Sequence, residues 1–443
     1  MKMHPAPEIS FRTTGQEPTP GRHRECRRML VGPWCNQPEE YPGYNGFVGW
    51  AGVAHLRSGR LMVTFTSGYW HGSLPCTNEM LKDPYFKELF ETRRARFGGL
   101  VDLRAPRGGR AHLMYSDDEG KTWSVPETLA DTECDDRHPC LLEMDDGTLL
   151  CTFFTGRMRP PSEMGTSKGS PLPSRPYFVY AMYMLSHDGG KTWTEPAPVD
   201  PVDDPVQGPT APAIQLSDGS VLWLVGRSLD PAAPDCVGTG VYRSADRGKT
   251  FERIGYMGTD HVLCEPTIAA LPDGRLVALA RREGDISFSD DGGHTWTEPV
   301  VFGTEMYDPK LLMLPNGVLA CIHGSYAKVP GNLRILLSPD GGRTWHGPQD
   351  NIGYSVDPDV YGYSGAAILP DGTIYAAYNH TGGHYAADAR TAALWGLRVR
   401  VNDAADGIEI LPAPGSPAAE GRSITGMGYI DNRSEDPELG EQV

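Results

Sequence analysis

Glu265, Asp308, His138 and Tyr363 are the side chains in this sequence best suited to chemistry, and they share a register. Each lies nine residues before the glycine of a tight-turn signal, and Trp50 and Thr210 hold the same place ahead of two further signals. Carboxylates and an imidazole can accept and return protons, and a phenol becomes a nucleophile when a neighbouring base takes its proton. The residues between these positions and their turns are mostly apolar, as in the segments 266–271 and 364–369. A buried carboxylate without a partner is costly, so Glu265 and Asp308 at the heads of apolar strands point to a site. If the six strands stand about one axis, their starts converge on one mouth. The segments after the turns end on a second set of residues: Arg157, Arg227, Arg281, His323 and the pair Asn379-His380. Arginine is the preferred fork for carboxylates, and three at related places in an acidic chain point to a pocket for an anion.

The elements that must position these residues are written in two repeats. Six turn signals sit at Arg57-Ser58-Gly59, Asp145-Asp146-Gly147, Ser217-Asp218-Gly219, Pro272-Asp273-Gly274, Pro315-Asn316-Gly317 and Pro370-Asp371-Gly372. Asp-Gly and Asn-Gly between apolar runs are strong hairpin signals. Between consecutive hairpins falls a copy of Ser-x-Asp-x-Gly-x-Thr-aromatic, beginning at Ser116, Ser186, Ser244, Ser289 and Ser338. Its Ser and Asp side chains suit a tight turn whose backbone N–H groups they can satisfy. The apolar runs are short, β-branched and punctuated by Gly and Pro, which argues against a helical fold. Repetition at this period means a radial or solenoid β architecture. The octapeptide resembles the Asp box of the sialidase superfamily, whose members are β-propellers. The expectation is therefore an all-β chain: a six-bladed β-propeller of four-stranded antiparallel blades with Asp-box turns. The hairpin glycines are 88, 72, 55, 43 and 55 residues apart, which places long insertions in the first two blades.

The repeats cover most of the 443 residues. The expected organisation is a polar arm over 1–25, the propeller over 26–411, closed by the region of Met29–Val31 or by Ile408–Leu411, and a tail over 412–443. The basic segment Arg22–Arg28 reads as a solvated arm. No stretch approaches the roughly 18 apolar residues of a membrane helix, and no apolar leader is evident, so a cytoplasmic location is expected. Nine scattered cysteines lack metal-ligand spacing; Cys134 and Cys140 near His138 do not complete a zinc set, and no cofactor or metal is expected. A net charge of −17 disfavours nucleic acid and anionic lipid as partners. Nothing in the sequence sets the oligomeric state.

The resemblance extends to particular residues, most closely in the second half. Glu265-Pro266, then Leu271 to Leu276, then Arg281, resembles the family segment that carries the catalytic glutamate and the second arginine of a carboxylate-gripping triad. Arg334, four residues before the Asp box at Ser338, matches the third arginine. Tyr363-Ser364 ahead of Leu369-Pro370-Asp371-Gly372 resembles the segment with the nucleophilic tyrosine. The resemblance implies that Tyr363 attacks and Glu265 is its base, because an anionic sugar repels a carboxylate nucleophile. The acid it implies is Asp102, with Asp83 as rival. The first half departs from the pattern. Where the family places its first arginine the chain reads Gly49-Trp50-Ala51, and where a Tyr-Glu pair orients that arginine it reads Tyr378-Asn379. Arg137, in the next blade, is the candidate substitute.

Three functions follow. The first is an exo-acting glycoside hydrolase of a carboxylate-bearing sugar, with Tyr363, Glu265 and Asp102 as catalytic residues. Arg281, Arg334, Arg137, His138, Asp308, Trp50 and Arg227 would contact the acidic oligosaccharide or glycoside. The second is a lyase acting on a uronate, in which His138 and Tyr363 move the protons and an arginine neutralises the carboxylate. Histidines placed near the mouth (His55, His71, His138, His323, His380, His384) support it. The third is a propeller that binds carbohydrate without cleaving it, since fold does not settle function.

Overall fold

The computed structural model describes residues 4–32, 35–36, 47–69, 73–96, 104–165, 176–200, 208–226, 238–258, 263–281, 283–301, 303–325, 333–348, 352–360, 362–379 and 393–422. All six turn signals close hairpins, and their glycines carry left-handed φ values between 76° and 90°, which a side chain would resist. The five octapeptides form one repeated turn. At Ser116 the serine hydroxyl accepts the Gly120 N–H at 2.8 Å, Asp118 accepts the Thr122 N–H at 2.8 Å, and the Trp123 ring nitrogen donates to the Gly120 carbonyl at 3.1 Å.

Six sheets result, their blade strands antiparallel and the first of each innermost. The first blade is built from Phe47–His55, Leu61–Gly68, Arg110–Ser116 and Glu127–Ala130; the second from Asp135–Glu143, Leu149–Met158, Tyr177–Ser186 and Ala197–Pro198. The third holds Ile214–Gln215, Val221–Gly226, Thr239–Ser244 and Glu252–Met257; the fourth Cys264–Ala270, Leu276–Arg281, Asp285–Ser289 and Val300–Val301. The fifth starts with Met306–Met313, Leu319–Ser325 and Leu333–Ser338, and the sixth with Ser364–Ile368, Ile374–Asn379 and Leu394–Val401. The fold is a six-bladed β-propeller. The helix Pro84–Arg96 lies in the first blade's long insertion, between its second and third strands.

The core lies between blades. Alternate residues of each strand face opposite neighbours, so Val277 and Leu279 of the fourth blade pack with Leu319, Cys321 and Leu336 of the fifth. Near the axis the inner strands touch: a Cβ at Gly365 would fall 2.6 Å from the backbone of Gly52.

Both candidate closing segments are used. Arg28–Val31 pairs with one end of Leu394–Val401 and Ile408–Leu411 with the other, so two ends of the chain share the outer position of the sixth blade. The arm is not solvated as its composition led one to expect. Ser10–Thr13 runs parallel to Thr344–Gly347 on the outer edge of the fifth blade. Arg27 is 1% exposed and donates to Asp357 at 2.7 Å, while His23 and Arg24 contact Asp359 at 2.8 and 2.6 Å. The reason is the partner: two buried aspartates stand opposite the basic run and neutralise it. The start of the tail docks there too, with the Ala413 and Ala418 N–H groups donating to the Cys26 and Glu25 carbonyls at 2.8 Å.

Candidate active site

The shared register has a backbone cause. Trp50, His138, Glu265 and Asp308 have φ of 53°, 52°, 48° and 51°, a left-handed conformation rare outside glycine. At each the pairing with the second strand slips, between Gly49 and Gly52, Arg137 and Cys140, Cys264 and Thr267, and Tyr307 and Lys310. These are bulges, and a bulge re-aims a side chain. Three of the four residues precede a proline, which has no N–H for the ladder.

Glu265 lies at the centre of the contacts. Its Oε1 is paired with Arg281 and lies 3.4 Å from the Tyr363 hydroxyl, which donates to it; Arg281 Nη1 also donates to that hydroxyl at 3.4 Å. Its Oε2 accepts the Asp308 N–H at 2.7 Å. Tyr363 is 4% exposed and walled by aromatic rings, with centroids at 5.0 Å for Tyr307 and 6.1 Å for Trp50. A phenol beside a carboxylate and a guanidinium has a proton acceptor on one side and a charge that favours phenolate on the other.

Asp308 does not line the mouth. Its side chain is fully buried; Oδ2 accepts the Ser364 N–H at 2.8 Å and Oδ1 pairs with Lys310. Burial lifts its carboxyl to about 7 against the pull of the Lys310 ammonium. Asp308 thus ties the Tyr363-Ser364 backbone to Glu265 and supports the site from beneath. His138, beside it at 3.7 Å, is equally buried, and burial pushes its imidazole well below the ordinary value. Its place is the neutral floor under Tyr363, a ring centroid 6.5 Å away, rather than a surface for substrate. Trp50, 4% exposed, packs on Tyr363 edge-on, and Thr210 is buried.

The arginines separate. Arg281 shares its strand face with Val277 and Leu279, and Arg334 shares its face with Leu336, so both point into the interface of the fourth and fifth blades, at the ends away from the Asp boxes. Arg281 reaches Tyr363. Arg334 does not stand open to a ligand: its side chain is 1% exposed, paired with Glu17 from the arm and bonded to the Gly353 carbonyl. Arg137 packs over the Trp50 ring at 4.8 Å and pairs with Asp135; burial, then the charge of Arg93 in the insertion helix, holds its guanidinium below the ordinary value. Arg157 is committed to Glu163 at 2.8 Å. A Cβ on Gly49 would lie 3.6 Å from the Asn379 side chain, so the departures at these two positions are neighbours in space. Asp102, Arg227, His71, His380 and His384 lie outside the described residues. Asp83 is exposed and accepts the Tyr85 N–H at 2.9 Å, a cap on the insertion helix. His323 is buried, and His55 ends its strand at the hairpin side, away from Tyr363.

Lys310 and Glu17 are absent from the sequence expectation. Lys310 had a signal, since it follows Asp308 by two. Glu17 had none. Among the described residues, His23, Asp357 and Asp359 are near enough to ligate a metal, but Arg24 and Arg27 already neutralise the two carboxylates and Tyr378 donates to Asp357 at 2.8 Å.

A family described as the BNR repeat-like domain matches residues 112–375. The chain belongs to the sialidase superfamily. Among solved structures, a protein of unknown function from Dyadobacter fermentans is 19% identical with TM-score 0.61, over 87% of this chain and 98% of that one. A Hadza microbial sialidase is 17% identical with TM-score 0.53, over 79% of this chain and 65% of that one. The intramolecular trans-sialidase from Ruminococcus gnavus is 14% identical with TM-score 0.53, over 80% and 96%. No curated protein matches by sequence. Gly49 stands where the sequence resemblance would place an arginine, and Arg334, the arginine the resemblance singles out in the fifth blade, is covered by the arm.

Proposed function

We propose that this chain is a retaining, exo-acting glycoside hydrolase of a carboxylate-bearing sugar, with Tyr363 as nucleophile. The observation that carries the reading is the contact set of Tyr363, Glu265 and Arg281 at the converging ends of the inner strands. Glu265 takes the phenolic proton as the Tyr363 oxygen attacks the anomeric carbon. The glycosidic bond breaks, and its oxygen leaves with a proton from an acid for which Asp102 is the candidate. Water, deprotonated by that same residue, then attacks the glycosyl-tyrosine carbon; the phenol leaves and recovers its proton, and two inversions give net retention. Arg281, which donates to the Tyr363 hydroxyl, favours the phenolate as it forms and could also meet a sugar carboxylate. The sialidases among the structural relatives support a carbohydrate substrate.

The uronate lyase draws less support from the structure. Among the described residues, His138 and His323, two of the histidines it would use, are buried away from a substrate. The test is digestion of a panel of sialosides and uronate-containing oligosaccharides. New reducing ends without the unsaturated-uronate chromophore support the hydrolase; the chromophore would instead establish a lyase, and binding without product a carbohydrate-binding propeller.

A further inference from the structure

Seven residues before the six hairpin glycines stand Gly52, Cys140, Pro212, Thr267, Lys310 and Gly365, and Lys310 is the charged residue among them. It is 4% exposed. Its Nζ pairs with Asp308 Oδ1 and donates to the Asp308 carbonyl at 3.3 Å. His138 of the second blade stands across the ring from Asp308 of the fifth, yet its Nε2 lies 3.7 Å from Asp308 Oδ1. The pair of Lys310 and Asp308 therefore lies on the propeller axis. Asp308 joins the two residues of the proposed chemistry. Its N–H donates to Glu265 Oε2 at 2.7 Å, and its Oδ2 accepts the N–H of Ser364, next to Tyr363, at 2.8 Å. Its φ of 51° is one that a side chain resists. Lys310 holds both the carboxylate and the carbonyl of this strained residue. We propose that Lys310 is a positioning residue: from the axis it locks Asp308, and through Asp308 it sets the contact of Tyr363 with Glu265.

This inference rests on reading Tyr363 as the nucleophile. Its physics is charge in a closed space. The titratable and charged groups around the pair are Glu265 of the fourth blade with Arg281 behind it, Tyr363 of the sixth, His138 and Cys140 of the second, and Cys321 on the strand beside Lys310. The first and third blades bring Trp50, Gly52, Thr210 and Pro212 at these two registers, none of them charged. Burial lifts the Asp308 carboxyl, and the Lys310 ammonium opposes the lift. Without the ammonium, Asp308 takes its proton at higher pH, its grip on the Ser364 N–H weakens, and its carbonyl is released. A displacement of about 1 Å at a reacting group can cost on the order of 10²-fold in rate.

Lys310→Met keeps the length of the side chain and removes its charge. It should lower kcat roughly 10²-fold while KM changes less than about threefold. It should also move the acid limb of kcat to higher pH, because the deprotonated form of Asp308 is the one that holds Ser364. Adding Asp308→Asn leaves no carboxyl to titrate and an amide oxygen to accept the Ser364 N–H, so the double variant should regain part of kcat and lose that shift. A readout that needs no turnover is the carbon-13 signal of the Tyr363 phenol in protein carrying ring-labelled tyrosine, identified by its loss in Tyr363→Phe. It should move in Lys310→Met and return toward its wild-type position in the double variant. A Tyr363 signal that stays in place in Lys310→Met overturns the proposal, as do an unchanged kcat and acid limb in a chain that cleaves. Should Lys310→Met fail to fold, the double variant is compared with Asp308→Asn alone: coincident Tyr363 signals support action through Asp308, and separate ones overturn it. A chain that shows the signal change and cleaves nothing overturns the hydrolase and keeps this inference. A chain that cleaves and shows no change does the reverse.

Discussion

Glu265 accepts hydrogen bonds on both oxygens, and the donors differ in kind. Oε2 is fixed by a backbone N–H, whereas Oε1 meets two groups that can change charge or partner during a reaction, the phenol of Tyr363 and the guanidinium of Arg281. One oxygen anchors and the other acts. Tyr363→Phe should lower turnover roughly 10³-fold or more with little change in substrate affinity, and Glu265→Gln nearly as much. The double variant should lose little beyond the worse single one, because both residues serve one step. Steady-state kinetics of the three variants checks this, and multiplicative losses would assign the residues to separate steps. The placing of Glu265 and Tyr363 at strand heads was legible because each precedes a turn glycine by nine residues, and that of Arg281 because it ends the strand after such a turn. The engagement of Arg334 was not, because its partner lies on the arm, 317 positions away. Asp308 was found by its register, but its role was misjudged: a period-two pattern shows which residues share a strand face, not how deep they lie.

At the scale of single elements, the Asp boxes cap the ends of strands opposite the site. Asp291 accepts the Thr295 N–H at 2.8 Å and the Ser289 hydroxyl at 2.9 Å. Asp291→Ala should cost about 1 kcal/mol or more of stability through these lost bonds while turnover per folded molecule stays at the wild-type level. Chemical denaturation paired with active-site titration separates the two. The third strand of the first blade carries a pH dependence. His112 stacks on Phe65 at 5.1 Å and bonds Ser67 at 2.7 Å. Burial lowers its imidazole from 6.5 to about 4. The unfolded chain therefore takes the proton first, so the contribution of neutral His112 is present above pH 6.5 and is lost as the pH falls toward 4. The loss is on the order of 3 kcal/mol. His112→Gln should flatten this acid limb, measured as unfolding free energy against pH. The six hairpins and five Asp boxes were legible because each is closed by residues a few positions apart. The insertion helix Pro84–Arg96 was not: it lies outside both repeats and has no strong amphipathic period to announce it.

At the scale of the molecule, the ring is held shut by hydrogen bonds and ion pairs between segments distant in sequence. Leu394–Val401 receives Arg28–Val31 along one part and Ile408–Leu411 along the other. Beside this clasp Arg27 is buried against Asp357 and stacks on Trp395 at 4.4 Å. Arg27→Ala strips the buried Asp357 of its guanidinium and leaves it the Tyr378 hydroxyl and the Asp359 N–H, and should cost about 3–5 kcal/mol. Thermal and denaturant unfolding would show it, and Arg27→Ala/Asp357→Asn should recover part of the loss. A change below about 1 kcal/mol would mean that water reaches the pair. Both closing strands were recognisable as candidates from their apolar residues. That they share one edge was not, because each is a complete short strand on its own and only the length of the recipient strand decides that both fit.

The clasp also sets an order of events. Ser10 and Thr344 are 334 residues apart in sequence yet bonded through their side chains, and Arg27 waits 330 residues for Asp357. As the chain leaves the ribosome, its first strand and its basic run have no partner until the fifth and sixth blades exist. Until then, an unpaired edge and unneutralised charges are exposed on a growing row of blades. A nascent chain halted before Leu394 has neither a closed ring nor a recipient for Arg28–Val31. Closure of the ring therefore waits for Leu394–Val401, long after the residues of the Tyr363 and Glu265 contact set have been made.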